Sequence, residues 1–156
     1  MSPSPTQVIV GVGFVPYGLP ELLKHDYKES NVALIFPFPP GPPQVQRNWE
    51  FVHEIEKIVP LKDERAIKRI NALDVPGCFD CIERLTNHGE SLAVLAPYGP
   101  KPHALAMCLA AIKHGYDVYY TQPRYYNSQY STGVAENCGV DANYAYAIKL
   151  RGEKYY

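Results

Sequence analysis

Short apolar runs alternate with helical segments four times along the chain, and this alternation limits the possible folds more than any other feature. Apolar runs predict buried strands at residues 7–14, 31–36 and 91–96, the second stopped by prolines. Residues 65–73 alternate apolar and polar, which favours a less buried strand, and residues 117–121 predict a fifth. Such alternation is typical of a mostly parallel sheet with helices on both faces.

Helices are expected between these strands, at residues 19–25, 45–59, 76–88 and 102–114. Gly89 and Gly115 are placed to end the last two helices. Residues 143–150 alternate and predict a last strand at an edge. We therefore predict an α/β fold, a three-layer Rossmann-like domain with a mostly parallel sheet of five to six strands. We expect a single domain over residues 1–156, which can also be part of a longer protein.

Composition excludes several classes of function. The chain is 46% hydrophobic and 20% charged, with a net charge of −1, which argues against broad binding of duplex nucleic acid or acidic membrane. No apolar run approaches the length of a membrane span, and the N-terminus lacks the pattern of a secretory signal. Reduced thiols are the simplest interpretation of the four cysteines, so a cytoplasmic location is expected.

The segment 91–112 predicts a strand, a tight loop and a helix, and it carries the strongest indication of a site. The loop contains Tyr98, Gly99 and Lys101, and His103 follows in the first helical turn. Unpaired backbone N–H groups and the positive end of the helix dipole favour an anion at a helix N-terminus. The sequence therefore predicts a seat for a phosphate or another anion; the alternative is a proline-stiffened turn with a solvated lysine.

Two nucleotide-binding motifs are incomplete. Gly11 and Gly13 resemble the start of a dinucleotide-binding turn, but Pro16 stands where the third glycine belongs. The second strand is not followed by the acidic residue that would hold a ribose. Small residues needed for a tight turn are the preferred interpretation, and a ligand near this backbone stays open. The phosphate-binding loop of magnesium-dependent nucleotide hydrolases is absent from the sequence.

A polar, tyrosine-rich stretch at residues 121–133 follows a strand that we expect to be central. Its aromatic side chains can stack on bases, its arginine can pair with phosphate, and its amides can bind a base edge. An ordered surface loop or a dimer contact is the alternative. The candidate ligand-binding residues of this stretch are Gln122, Arg124, Tyr125, Tyr126 and Asn127.

Other reactive residues give no strong indication of chemistry. Cys78 and Cys81 form a lone Cys-x-x-Cys pair on a predicted helix, for which plain packing is the favoured interpretation. Four histidines, His103 excepted, are expected to be solvated on helix faces or ends, His114 among them. No hydrolase motif is present. We predict no metal site and no cofactor.

The segment 92–120 resembles the C-terminal motif of CARF domains, the CRISPR-associated Rossmann-like sensors, and of the related SAVED domains. The matching features are the loop that ends in Lys101, the alanine-rich helix and the strand at 118–120. The family loop usually carries Ser or Thr where this chain has prolines and Tyr98. The resemblance implies a homodimer that binds a cyclic oligonucleotide, with Lys101 and the Gly99 backbone on phosphates. It also implies that Gly13 and Phe14 help to line the site.

Three functions remain open at this stage. The first is a ligand-sensing domain of prokaryotic antiviral defence that binds a nucleotide-like anion and signals to an effector domain or protein. The second is a nucleotide- or nucleoside-processing enzyme, including a metal-independent ring nuclease, with Lys101 and His103 as candidate catalytic groups. The third is a protein-interaction module with a Tyr/Pro-rich rim. We favour the sensor and lean against an enzyme.

Overall fold

The computed structural model describes residues 6–39, 44–59, 61, 66–122, 145–146, 148–150 and 152–154. The chain forms two compact units, Met1–Tyr120 and Thr121–Tyr156. The first unit contains the parallel sheet and its helices, and the second contains a short hairpin. No helix among the described residues is long and apolar enough to cross a membrane.

Five parallel strands form the sheet of the first unit, in the order β3-β2-β1-β4-β5. Because β1 lies between β2 and β4, the order of the strands changes direction at the β1–β4 pair. This sheet confirms the prediction of an α/β, Rossmann-like fold. The five strands are β1 (Gln7–Gly11), β2 (Asn31–Phe38), β3 (Ile67–Asn71), β4 (Ala93–Pro97) and β5 (Asp117–Val118).

Within the part of the chain that the structure describes, four helices flank the sheet, namely α1 (Leu19–Lys24), α2 (Gln44–Glu56), α3 (Val75–Leu85) and α4 (Lys101–His114). Buried side chains of α1 and α2 share one core cluster with β1 and β2, including Leu23, Phe51, Val10 and Leu34. Helices α3 and α4 pack against each other, and Met107 of α4 lies beneath β1. Because β1 and β4 are parallel, the loops that follow them lie at the same end of the sheet.

Among the strands whose extent differs from the prediction, β2 and β5 have a clear physical reason. β2 does not stop before the prolines but continues through Pro37 to Phe38. Its pairing with β1 ends at Ile35, so only β3 lies beside Pro37, and the missing N–H of proline is tolerated there. β5 is a two-residue edge strand with both side chains exposed, so the expectation of a central strand at 117–121 was wrong.

The end of helix α3 and the position of the last predicted strand also differ from the prediction. Helix α3 stops at Leu85 with Thr86 as its C-cap, before the predicted stop at Gly89, because Asn87 and His88 already adopt positive φ angles. In the second unit, Lys149–Leu150 (β6) pairs antiparallel with Glu153–Lys154 (β7). Within the described residues, the predicted last strand thus belongs to a separate hairpin and not to the edge of the main sheet.

Candidate functional site

The loops that follow β1 and β4 meet where the strand order changes direction, and glycines allow the contact. A Cβ atom at Gly13 would lie 2.1 Å from the carbonyl oxygen of Tyr98, so no other residue fits without moving that backbone. A Cβ atom at Gly99 would lie 3.2 Å from the carbonyl oxygen of Val12. These glycines therefore pack one loop against the other, in agreement with the interpretation of Gly13 as part of a tight turn.

Side chains of α2 and of the β4 loop itself hold these loops in place. The Asn48 side chain on α2 is almost completely buried and donates a hydrogen bond of 2.8 Å to the Gly13 carbonyl. The Tyr98 hydroxyl donates to the Tyr17 carbonyl at 2.6 Å, and its ring contacts Phe51 with centroids 5.6 Å apart. The buried bond from Asn48 and the exposed bond from Tyr98 both fix loop geometry, so the backbone at this end of the sheet is preorganised.

The loops that follow β1 and β4 form a rim at this end of the sheet. Helix α4 begins at this rim without a side-chain cap. Its N-cap residue is Pro100, which has no polar side chain, and the Ala104 N–H donates to the Pro100 carbonyl at 3.0 Å. Pro102 has no N–H, so the amides of Lys101 and His103 are the first-turn groups that can donate to a ligand. The Lys101 side chain is exposed at the positive end of the helix dipole. Together these features suit an anion.

A second cation lies next to the β1 loop. The Arg47 guanidinium on α2 lies over the Phe14 ring, 5.7 Å from its centroid, and the Arg47 residue is exposed. Phe14 is half-buried, which places the aromatic ring between the loop and solvent. Sequence reasoning missed Arg47 and Asn48. The one available indication was a polar residue, Asn48, within the apolar stripe of the predicted helix.

His103 lies in the first turn of α4 but faces the protein interior. Its side chain is completely buried, and its Nε2–H donates to the Asn71 carbonyl at the end of β3, 2.8 Å away. Burial is the main cause that lowers the pKa of the imidazole, against the opposing effects of Asn71 and Asp74. The neutral ring ties α4 to β3, while the predicted contact of His103 with a ligand remains a prediction.

The remaining predicted site residues belong to the second unit. Gln122 is exposed. The other four, Arg124, Tyr125, Tyr126 and Asn127, lie outside the described residues. Their part in a binding site therefore remains a prediction.

The opposite end of α4 contacts a buried carboxylate. Glu83 of α3 is 7% exposed and accepts hydrogen bonds from Lys113 Nζ at 3.0 Å and His114 Nε2 at 2.5 Å. Burial raises the pKa of this carboxyl, but the bonds and charges of both partners outweigh it, and the pKa is lowered. The His114 side chain is only 12% exposed, so the expectation that it is solvated was wrong. Its partner is 31 residues away in the sequence, beyond any local pattern.

The two cysteines of the Cys-x-x-Cys pair are core residues. Cys78 is fully buried and Cys81 is 3% exposed, and burial is the main cause that raises the pKa of both thiols. This placement agrees with a packing role. Among the residues that the structure describes, no cluster of three or more His, Cys, Asp or Glu side chains could hold a metal ion.

Comparison of the chain with protein-family models, curated proteins and solved structures found no match.

Proposed function

We propose that this protein is a ligand-sensing domain that binds a nucleotide-like anion where the β1 and β4 loops meet the first turn of α4. The observation that carries the proposal is the uncapped start of α4 with exposed Lys101 at a change of strand order. In open parallel sheets, ligands bind outside the carboxyl ends of the strands at such a point. The packed loops and the neighbouring Arg47 add to this support.

The finer identity of the ligand rests on the resemblance to CARF and SAVED domains. On that basis the ligand is a cyclic oligonucleotide, the working form is a cytoplasmic homodimer, and the signal passes to an effector in prokaryotic antiviral defence. Lys101 and the Gly99 amide would contact phosphates, and Phe14 would offer a ring beside a base. A sensor needs binding energy and a coupled conformational change, but no chemical step on the ligand.

Thermal unfolding with a ligand panel tests this proposal. The panel contains cyclic oligonucleotides, linear nucleotides, NAD and ADP-ribose at fixed salt. A ligand at about 100 times its dissociation constant adds about 2.7 kcal/mol of stability, which gives a clear rise in Tm. We expect one cyclic species to raise the Tm of the wild type and of Lys28→Ala, a matched exposed lysine, but not of Lys101→Ala. Equal shifts in all three proteins would contradict this site.

Mass analysis of the recovered ligand separates sensing from turnover. The sensor proposal expects the cyclic species to be recovered intact after prolonged incubation with the protein. Conversion to linear products that depends on Lys101 would instead support the ring-nuclease alternative. A rise in Tm with NAD or ADP-ribose alone would contradict a cyclic oligonucleotide as ligand.

A further inference from the structure

A basic groove runs along the free edge of the sheet, away from the rim described above. It has a volume of about 820 Å³ and follows β3, between Trp49 of α2 and the last turns of α3. β3 pairs with β2 on one side, and no described strand pairs with its other side. An edge strand presents backbone N–H and C=O groups that another chain can use. The groove is lined by Trp49, Ile67, Lys68, Arg69, Ile70, Cys81, Arg84 and Leu85.

The charges of this groove have one sign. Lys68, Arg69 and Arg84 line it, and none of its lining residues is acidic. No carboxylate among the described residues forms an ion pair with these three cations. The whole chain has a net charge of −1, so three cations in one groove are a local concentration of positive charge. Such a groove attracts an acidic partner.

The three cations lie on both faces of the sheet, on either side of the unpaired backbone edge of β3. Arg69 pairs in register with Phe36, a member of the core cluster under α2, so its side chain lies on that face. Lys68 is the next residue and points to the opposite face, where its charge and that of Arg84 act on Cys81 of α3. A strand added beside β3 would also direct alternate side chains to the two faces.

We propose that the β3 edge binds an extended acidic segment of a partner protein by strand addition. Backbone hydrogen bonds to β3 would align the segment, and its acidic side chains would meet Arg69 on one face and Lys68 with Arg84 on the other. Ile67 and Trp49 offer apolar surface for the side chains between. A second copy of this chain does not suit the edge, because β3 paired with β3 would bring Lys68 and Arg69 of both copies together.

Fluorescence anisotropy with a labelled peptide tests this proposal. The probe is a peptide of about nine residues that alternates glutamate with valine, long enough to cover the five residues of β3. Controls are a peptide with lysine in place of glutamate and one with proline at alternate positions, which cannot donate to the edge. We expect the wild type to bind the acidic probe, more weakly as salt is raised, and to bind neither control.

Matched variants place the binding on the groove. Replacing Lys68, Arg69 and Arg84 with glutamine should weaken binding about tenfold or more, as expected for the loss of charge contacts from two exposed cations and the half-buried Lys68. Lys28→Gln, at an exposed lysine outside the groove, and Lys101→Ala should bind as the wild type does. Independence from Lys101 separates this proposal from the proposed nucleotide site. Circular dichroism confirms that the triple variant is folded.

Hydrogen exchange shows whether the edge itself is used. We expect the probe to slow amide exchange within β3. Three results would overturn the proposal: no binding of the acidic peptide, equal binding of the proline-containing peptide, or no added protection of β3 on binding. Tighter binding of a single-stranded oligonucleotide than of the peptide, through the same three cations, would also overturn it in favour of a nucleic-acid surface.

Discussion

The two ends of α4 carry cations in opposite electrostatic settings. At its start, Lys101 lies exposed at the positive end of the helix dipole, where a cation is unfavourable. At its end, Lys113 and His114 lie at the negative end of the dipole and bind the buried Glu83 carboxylate. A satisfied cluster stabilises the fold, whereas an unfavourable exposed charge is available for a ligand. The first end therefore suits the proposed ligand, whereas the second end stabilises the fold.

The largest expected effect is at the stabilising end. Glu83→Gln removes the carboxylate that accepts from both Lys113 and His114 and leaves the Lys113 charge uncompensated. We expect the free energy of unfolding to fall by about 2–3 kcal/mol, less than the loss of about 3–5 kcal/mol for breaking a fully buried pair, because Lys113 is partly exposed. Urea unfolding measures this loss. Glu29→Gln, at an exposed carboxyl, is the control, and an equally small loss in both variants would remove the distinction between the two ends.

The second effect tests whether the rim is rigid. Gly13→Ala places a methyl group against the Tyr98 carbonyl, so one of the two loops must move. We expect a loss of about 1–3 kcal/mol, as for overpacking, together with weaker ligand binding. Gly115→Asn is a suitable control, since Asn tolerates the positive φ of this C-cap and no atom lies within 4 Å of its added Cβ. A Gly13→Ala protein as stable as the wild type would show that the loop contact is not tight.

The third effect concerns acid stability. Burial lowers the folded-state pKa of His103 below its ordinary value of 6.5, so the unfolded chain binds more protons there, and stability falls as the pH drops below about 6.5. The lowered pKa of Glu83 affects stability in a separate pH range. Its contribution to the free energy of unfolding is fully present above the ordinary carboxyl pKa of 4.5 and is lost as the pH falls below that value.

Urea unfolding of His103→Gln between about pH 7 and pH 5 isolates the histidine. Glutamine keeps a donor for the Asn71 carbonyl but takes up no proton. We expect its stability to change less across this interval than that of the wild type. The same dependence of stability on pH in both proteins would contradict this prediction. It would mean that His103 binds protons equally in the folded and unfolded states, so that burial does not lower its pKa.

The smallest expected effects on stability come from replacing the two lysines of α4, Lys101 and Lys113. Lys101→Ala should change the free energy of unfolding by less than about 0.5 kcal/mol, because its loss relieves an unfavourable dipole interaction. Lys113→Ala should lower it by about 0.5–1 kcal/mol through the lost contact with Glu83. Only Lys101→Ala should abolish the ligand-induced rise in Tm. A larger loss of stability in Lys101→Ala than in Lys113→Ala would reverse the comparison.

Local sequence patterns predicted most of the fold. Helix α4 and its stop at Gly115 follow from an apolar, alanine-rich run and a glycine with positive φ. The parallel sheet follows from the alternation of strands and helices. The end of β2 and the length of β5 could not be predicted from local patterns. They depend on which neighbouring strand pairs with Pro37 and on how far β4 pairs beside Val118.

The candidate site could be predicted only where its chemistry is local. The Lys101 loop was visible because strand, loop and helix follow one another in the sequence. Asn48, which binds the Gly13 carbonyl, lies 35 residues away in the sequence, and the burial of His103 and His114 depends on β3 and α3. Long-range contacts of this kind leave no periodic pattern. The sequence therefore indicated the exposed cation more reliably than the groups that surround it.

Backbone NMR during a titration with cyclic oligonucleotides tests the central claim most directly. The account predicts that one cyclic species shifts the amide resonances of Gly13, Gly99, Lys101 and His103, and that Lys101→Ala loses these shifts while keeping a folded spectrum. No shift at this rim with any member of the series, or shifts confined to the β3 edge, would contradict a nucleotide-like anion at the start of α4.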